Sequence, residues 1–336
     1  MHYYQHKFRR LLVNRFSTNS IVILLVILTA AAGTFAQSGW RSRKIDKAGD
    51  LVAVYFINAK RGFIAGDDGF LAVTNDGGSN WKKHEIGTRE NINEIYFRND
   101  KNGYLVAGRK LFITSDSGNT WRETVIFNAG EFKEGVPEFL SIRFADKNRG
   151  HAIGSVLNKK DEVIDSLVMR TDDGGATWHR IKVPSKRELF HLDFSGRSDG
   201  WIVGDHGVIL ATNDGGVSWR LQNSGTTRAL YNVDFQNDNI GYAVGGGGTI
   251  LRTENGGENW ITSPSNIRST LLRVDFADNN NGWIVGRDGT VLRSSDKGRT
   301  WVQQASNTKT HIYGLFMMKK TGWAVGQNGS LFEYDR

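Results

Sequence analysis

A basic residue recurs shortly before one strand of an internal repeat, and this pattern is the clearest basis for a binding chemistry. Such a residue stands in five of the six connections between repeats: Arg89, Arg187, Arg228, Arg268 and Lys309. Several guanidinium groups around one opening can bind a carboxylate or a phosphate through paired hydrogen bonds. We call these five residues, together with Arg109 and Arg287 in turns expected on the same face, the cationic collar. A solvated rim neutralised by Glu90 and Glu188 is the alternative.

Acidic residues on the same expected face offer a second, catalytic chemistry. A glycosidase needs two carboxyl groups at a defined separation across the bond it cleaves. The candidates are Asp67, Asp68, Asp205, Asp288, Glu131 and Glu134. Sequence spacing places no two of them at such a separation. A carbohydrate-active hydrolase is therefore kept as an alternative function, without assigned catalytic residues.

The sequence indicates no metal or cofactor chemistry. The chain has no Cys, which excludes disulfides and thiolate sites, and its eight His are scattered without metal-ligand spacing. The glycine run over residues 245–248 follows a strand but leads into another strand, whereas a phosphate-binding glycine loop leads into a helix. We therefore expect neither a metal site nor a cofactor.

A turn motif close to Thr-x-Asp-Gly-Gly-x-x-Trp, here called the box, occurs six times. Its acidic position is filled in turn by Asp76, Asp116, Asp173, Asp214, Asn255 and Asp296. An Asp in a tight turn accepts hydrogen bonds from backbone N–H groups, and the Gly supplies a positive φ. Asn255 keeps the acceptor oxygen but lacks the charge that a metal ligand or acid catalyst needs. The boxes are therefore predicted to be structural.

The boxes belong to a repeat of 40 to 50 residues, marked by a strand that ends in Phe. The marks are Phe56, Phe97, Phe144, Phe194, Phe235, Phe276 and Phe316, each followed by a polar stretch and then by Gly and an apolar strand. Repeats of this length, made of short strands and glycine turns, are typical of β-propeller blades. The sequence predicts an all-β fold, a single seven-bladed propeller of four-stranded antiparallel blades over residues 37–336.

Two departures from the period predict how the ring closes and which face carries the inserted segments. The seventh repeat lacks a box, and the segment 40–45 reads like the strand that follows every box. We therefore expect the N-terminal strand to complete the last blade and leave no unpaired ring end. The third repeat carries two insertions, between Trp121 and Phe144 and over residues 155–167. Both should lie on the collar's face, opposite the boxes.

The first 36 residues have the layout of a secretory signal. Basic residues precede an apolar run from Ile21 to Ala32, and cleavage is expected after Ala36, with an uncleaved anchor as the alternative. Removing its four basic residues and no acidic one lowers the formal charge from +8 to +4. That balance does not suggest nucleic-acid binding. We expect an exported protein, periplasmic or extracellular, that is not a lipoprotein because it has no Cys.

The boxes and the period F…GW-x-VG-x-x-G-x-[IL]-x-x-[ST] resemble those of the Asp-box (BNR) repeat propellers. Within them, residues 40–336 most resemble the photosystem II stability and assembly factor family. The resemblance implies a seven-bladed, non-catalytic assembly factor with a basic face that acts on a subunit of a membrane complex. Sialidases and xyloglucan-type glycosidases carry the same boxes. However, the sialidase F/Y-R-I-P segment is missing here, and the predicted blade count is seven.

These observations together predict an exported binding or assembly module without catalytic residues. The cationic collar and the third-repeat insertions would hold an acidic or carboxylate-bearing segment of a partner protein. Any association with a membrane would be peripheral, and no nucleic-acid partner is expected. The oligomeric state is left open.

Overall fold

The computed structural model describes residues 39–46 and 48–335, and the predicted signal sequence lies outside the described residues. The chain folds into seven four-stranded antiparallel sheets, which are the blades of a propeller. The predicted fold class is therefore confirmed. Within the described residues, no helix is long and apolar enough to span a membrane.

Each of the first six blades is built from four consecutive strands, with the first strand innermost and the fourth outermost. Their bounds are as follows: blade 1, β2 (Leu51–Phe56), β3 (Gly62–Gly66), β4 (Leu71–Thr74) and β5 (Lys82–Lys83); blade 2, β6 (Ile92–Phe97), β7 (Gly103–Ala107), β8 (Lys110–Thr114) and β9 (Arg122–Thr124); blade 3, β10 (Val136–Phe144), β11 (Gly150–Leu157), β12 (Val163–Thr171) and β13 (His179–Arg180); blade 4, β14 (Leu189–Ser195), β15 (Asp199–Gly204), β16 (Ile209–Thr212) and β17 (Arg220–Gln222); blade 5, β18 (Leu230–Phe235), β19 (Gly241–Gly245), β20 (Ile250–Thr253) and β21 (Ile261–Thr262); blade 6, β22 (Leu271–Phe276), β23 (Gly282–Gly286), β24 (Val291–Ser294) and β25 (Val302–Gln303). Short 3-10 turns occur at Asp67–Gly69, Ala129–Glu131, Asp205–Gly207, Gly246–Gly248, Arg287–Gly289 and Gln327–Gly329.

Blade 7 joins the two ends of the chain, as the sequence predicts. It comprises β26 (Ile312–Met317), β27 (Thr321–Gly326), β28 (Ser330–Asp335) and, on the outside, β1 (Trp40–Lys44). β1 runs antiparallel to β28, with Trp40 opposite Tyr334. The two rings lie 5.2 Å apart, and Trp40 is buried. Closure therefore rests on backbone pairing and on an anchoring Trp that occupies the place of the missing seventh box Trp.

Packing explains why a Phe recurs at the repeat mark. The ring of Phe56 lies across Gly62 of the next strand, where a Cβ would come within 2.5 Å of it, and the same arrangement recurs in blades 1 to 6. In blade 7 the residue opposite Gly322 is Met317, whose thioether covers that Gly. The predicted seventh mark, Phe316, is therefore wrong by one residue. The position requires an apolar group that covers a Gly, and Met supplies one as Phe does.

The boxes form hydrogen-bonded turns that also contribute to the core. In blade 4, Oδ1 of Asp214 accepts hydrogen bonds from the backbone N–H groups of Val217 and Ser218, at 2.9 and 3.0 Å. Its Oδ2 accepts from the Ser218 hydroxyl at 2.6 Å. The box Trp219 packs edge-on against Phe194 with ring centroids 6.0 Å apart, and each of the other five boxes repeats this Phe–Trp contact. Each box thus ties its turn to the hydrophobic core.

Two faces of the ring can be told apart by their turns. The lower face carries the boxes, since the N–H of Gly215 donates to the carbonyl of Ser198 in the turn between the first and second strands. The upper face carries the turns between second and third strands and the connections into the first strands. There the N–H of Asp205 donates to the carbonyl of Glu188 at 2.9 Å. The first strands therefore run from the upper face to the lower face.

Both insertions of the third repeat lie on the upper face, as predicted, and lengthen blade 3. They extend β10, β11 and β12 so that Leu157 pairs with both Val136 and Val163. The preceding connection packs onto this sheet through Phe132, which is buried, with the guanidinium of Arg180 5.2 Å from its ring centroid. Blade 3 thus rises above its neighbours beside the upper opening.

Candidate functional site

Seven β-bulges shape the upper mouth of the central channel. In six blades the pairing of the first and second strands shifts by one residue just after the first strand begins, and in blade 3 the same shift lies within the lengthened β10. A bulge adds an unpaired residue and turns its side chain. The extra residues, here called the bulge ring, are Val52, Asn93, Leu140, Phe190, Tyr231, Leu272 and Tyr313. Phe190 stacks on Tyr231 of the next blade at 5.1 Å, so the ring also joins blades.

Arg287 lies between two tyrosines of the bulge ring. It is half-buried at the turn of blade 6, and burial lowers its pKa, whereas the nearby Tyr231, Tyr313 and Asp288 act in the opposite direction. Burial raises the pKa of Tyr231 to about 12. It also raises the pKa of Tyr313, and the neighbouring Asp50 adds to that increase. One guanidinium and two phenol groups therefore cluster at the mouth.

The other six collar residues are exposed on the upper face, but the five that precede first strands occupy two different positions. Arg89, Arg268 and Lys309 stand three residues before their first strands, whereas Arg187 and Arg228 stand two before. Neighbouring side chains of an extended chain point to opposite sides. The five residues therefore do not form one uniform ring.

The collar has one near member that the sequence analysis missed. Lys186 is exposed and precedes Leu189 by three residues, so it fills the first of the two positions in blade 4. Its adjacency to Arg187 was the signal that could have revealed it. Arg228 is turned towards its own blade, where its guanidinium donates to the carbonyl of Gly247 at 2.8 Å.

Carboxylates of the described residues do not form ion pairs with the exposed collar cations. Over residues 39–46 and 48–335, no carboxylate oxygen lies within 4.0 Å of a side-chain nitrogen of Arg89, Arg109, Arg187, Arg228, Arg268 or Lys309. Glu90, which the alternative reading assigned to such pairs, lies instead against Gly108. Glu188 is buried at the base of its connection. Six cationic groups thus face solvent around the mouth.

The candidate carboxylates of the hydrolase alternative are spread over several blades. Asp67 and Asp68 belong to a turn of blade 1, Asp205 to blade 4 and Asp288 to blade 6. The remaining two candidates lie in the connection leading into blade 3. In the described part of the chain, no group of three or more His, Asp or Glu residues is placed to hold a metal ion.

A buried charged network lines the channel below the mouth, and sequence analysis did not find it. The carboxylate of Glu94 accepts hydrogen bonds from the guanidinium of Arg143 and from the N–H of Ile142, both at 2.7 Å. Arg143 also donates to Nε2 of His191 at 3.0 Å. Burial would raise the pKa of Glu94, but the charge of Arg143 holds it below its ordinary value. Burial lowers the pKa of His191 to about 4, so this imidazole is neutral.

The sequence matches the family described as photosynthesis system II assembly factor YCF48. The matches overlap and cover residues 32–125, 80–186, 136–222, 172–264, 220–295 and 262–335. The chain belongs to the YCF48 family. The resemblance noted from the boxes and the period is thereby confirmed.

Solved structures agree with this YCF48-family assignment at the level of the fold. A structure of YCF48 bound to D1 peptide is 21% identical, with a TM-score of 0.73, over 90% of this chain and 98% of that chain. YCF48 from Cyanidioschyzon merolae is 16% identical, with a TM-score of 0.70, over 88% and 98%. A GH74 xyloglucanase from Xanthomonas campestris is 13% identical, with a TM-score of 0.66, over 88% of this chain but 54% of its own. No curated protein matches the chain in sequence.

Proposed function

We propose that this YCF48-family propeller is an assembly-factor-like binding protein that holds a segment of a partner protein on its upper face. The observation that carries the proposal is the set of six exposed collar cations without a carboxylate within 4.0 Å among the described residues. They surround a mouth where the half-buried Arg287 lies beside Tyr231 and Tyr313. The family membership and the existence of a related propeller bound to a peptide support the same role.

The collar's chemistry favours an acidic or carboxylate-bearing segment as the ligand. Like charges gathered on one rim repel one another, and an anionic partner would relieve this repulsion. Guanidinium groups bind carboxylates through two parallel hydrogen bonds, which adds geometric selectivity to charge. The lengthened blade 3 would form a wall beside the bound segment. The proposal includes the predicted export of the chain and a peripheral encounter with a membrane complex.

The test compares partner capture by collar variants with capture by a charge-matched control. The test variant replaces Arg187, Arg228 and Arg268 with Ala, and the control replaces three exposed cations of the outermost strands, Lys82, Arg122 and Arg220. Both variants lose the same formal charge. A partner captured from envelope extract by the wild type and the control, but not by the collar variant, is the expected result.

Calorimetry with the captured partner then gives the size of each contribution. A charge-assisted hydrogen bond contributes about 1.5–3 kcal/mol, so each single Ala substitution should weaken binding roughly ten- to hundredfold. Arg→Lys substitutions should restore charge but not the forked geometry and give partial recovery. Added salt should weaken binding by the wild type more than binding by the variants. A triple collar variant that binds as tightly as the wild type refutes the proposal, and turnover of a glycoside panel would favour the hydrolase.

A further inference from the structure

The lower part of the central channel holds three carboxylates in successive blades. The residue just before each repeat mark faces this region, and around the ring these residues are Tyr55, Tyr96, Arg143, Asp193, Asp234, Asp275 and Phe316. All seven line a central cavity of about 240 Å³. We call Asp193, Asp234 and Asp275 the channel carboxylates. Each is partly buried and lines this cavity.

The three carboxylates differ in how they are satisfied. Asp193 accepts a hydrogen bond from the N–H of Phe235 at 2.8 Å, and Asp275 accepts one from the N–H of Met317 at 2.6 Å. Each of these bonds joins one blade to the next. The equivalent carboxylate of Asp234, which lies between the other two, has no hydrogen-bond donor among the described residues. Asp234 is therefore the least stabilised of the three as an anion.

The charged groups that face the channel carboxylates from the first strands of the seven blades do not neutralise them fully. The titratable groups are Tyr55 from β2, Glu94 and Tyr96 from β6, Arg143 from β10, His191 from β14 and Arg273 from β22, and β26 contributes none. Arg143 is already paired with Glu94 at 2.7 Å. His191 is neutral, and Arg273 is the other cation. Three carboxylates therefore share little positive charge in a confined space.

Burial and mutual repulsion favour the protonated forms of the three channel carboxylates. Burial raises the pKa of Asp234 well above its ordinary value, and the neighbouring Asp275 and Asp193 raise it further. Burial raises the pKa of Asp275 to about 7 against the N–H bond from Met317, and burial raises that of Asp193 against the charge of Arg143. The carboxylates thus favour keeping protons when the chain is folded.

We propose that the channel carboxylates are a pH-sensitive element of the ring. Asp193, Asp234 and Asp275 share protons that allow blades 4, 5 and 6 to pack around the channel. When these protons are lost, repulsion between the carboxylates loosens the junctions of these blades. A carboxyl group whose pKa is raised by folding binds its proton more tightly in the native state, so stability falls as pH rises.

The test measures the unfolding equilibrium by urea titration at several pH values from 6 to 9, with the full chain. Wild-type unfolding constants should rise roughly tenfold to a hundredfold across this range as the channel carboxylates lose protons. Asp234→Asn is nearly isosteric and removes the central charge, so its unfolding constant should rise several-fold less than the wild-type constant over the same range, and the remaining rise comes from Asp275, whose pKa is about 7. Asp214→Asn is the matched control, because hydrogen bonds in its box keep the pKa of Asp214 at about 2 despite some burial. The control should follow the wild-type pH profile.

A second measurement keeps the proposal testable if Asp234→Asn does not fold. Protons released when the wild type unfolds in unbuffered solution at pH 7 can be titrated directly. About one or more should be released, because the unfolded carboxylates no longer retain them. Buried His residues act in the opposite direction, since they take up protons on unfolding. Parallel pH profiles for wild type and Asp234→Asn, or no proton release by the wild type, would overturn the proposal.

Discussion

Replacing Trp40 with Ala tests whether the ring is held closed by the N-terminal strand. Trp40 is buried and packs against Tyr334 at 5.2 Å, within a cluster that includes Val285 and Val291 of blade 6. Truncation of a buried Trp to Ala typically lowers stability by about 3–5 kcal/mol. Here the strand is linked to the rest of blade 7 by pairing and side-chain contacts. The loss should therefore free all of β1 and expose an edge of β28.

Two controls separate closure from ordinary core packing. Trp301 is also buried, but it belongs to a blade whose strands are continuous in the chain, so Trp301→Ala should lose similar packing energy without exposing β28. Arg41 lies on the same strand as Trp40, and its ion pair with Asp335 is exposed. Exposed ion pairs contribute about 0–1 kcal/mol, so Arg41→Ala should have little effect.

The assay combines urea unfolding with hydrogen exchange of the β28 amides. The expected result for Trp40→Ala is a free energy of unfolding lower by about 3–5 kcal/mol, together with faster exchange along Ser330–Asp335. Trp301→Ala should leave that exchange close to the wild-type rate. A Trp40→Ala protein with unchanged β28 exchange, or with a loss below about 1 kcal/mol, would refute the role of β1 in closing the ring.

Three further outcomes are expected from substitutions elsewhere. Asp214→Ala should lower the free energy of unfolding by about 1–2 kcal/mol at pH 7, because the N–H and hydroxyl donors of the box lose their acceptor. The difference from the wild type should disappear as the pH falls from about 4 to 2, where Asp214 takes up a proton. Equal stability of the two proteins in urea at pH 7 would contradict this expectation. Gly282→Ala should cost about 1–3 kcal/mol, since a Cβ would come within 2.5 Å of the Phe276 ring, whereas Gly130→Ala, with nothing within 4 Å, serves as the control in thermal unfolding. Burial lowers the pKa of His191 to about 4, so wild-type stability should gain from this group as pH rises from about 4 to 6.5, and His191→Asn should remove that gain in pH-dependent urea titrations.

Most of the fold could be predicted from short-range patterns in the sequence. The boxes, the Gly under each repeat mark and the Trp40 strand depend on turn chemistry and on contacts between adjacent strands, which repeat along the chain at nearly constant spacing. The one error at a repeat mark, Phe316 in place of Met317, has a simple origin. The position over Gly322 needs an apolar group of suitable size, and either residue meets that requirement.

The collar was predictable as a set of residues on one face, but its geometry was not. Basic residues before the first strands could be counted in the sequence, and topology required them to lie on the upper face. Whether a residue stands two or three places before a strand decides the side to which it points. The number of residues between the basic residue and its strand depends on where the strand begins, for example at Leu189 or Leu271. Strand pairing determines that starting point.

The sequence by itself determined the blade, its number of copies and the closure of the ring, because one pattern repeats in every blade and the segment 40–45 supplies the strand that the last copy lacks. Only the tertiary structure decided what the centre of the ring contains. Asp193, Asp234 and Asp275 read in the sequence as ordinary polar residues of half-exposed strands, and Glu94 and Arg143 stand 49 residues apart. A closed ring turns the inner edge of every blade toward one enclosed space. Groups that would each face water on a single blade then share a cavity of about 240 Å³, where partial burial strengthens the interactions between their charges.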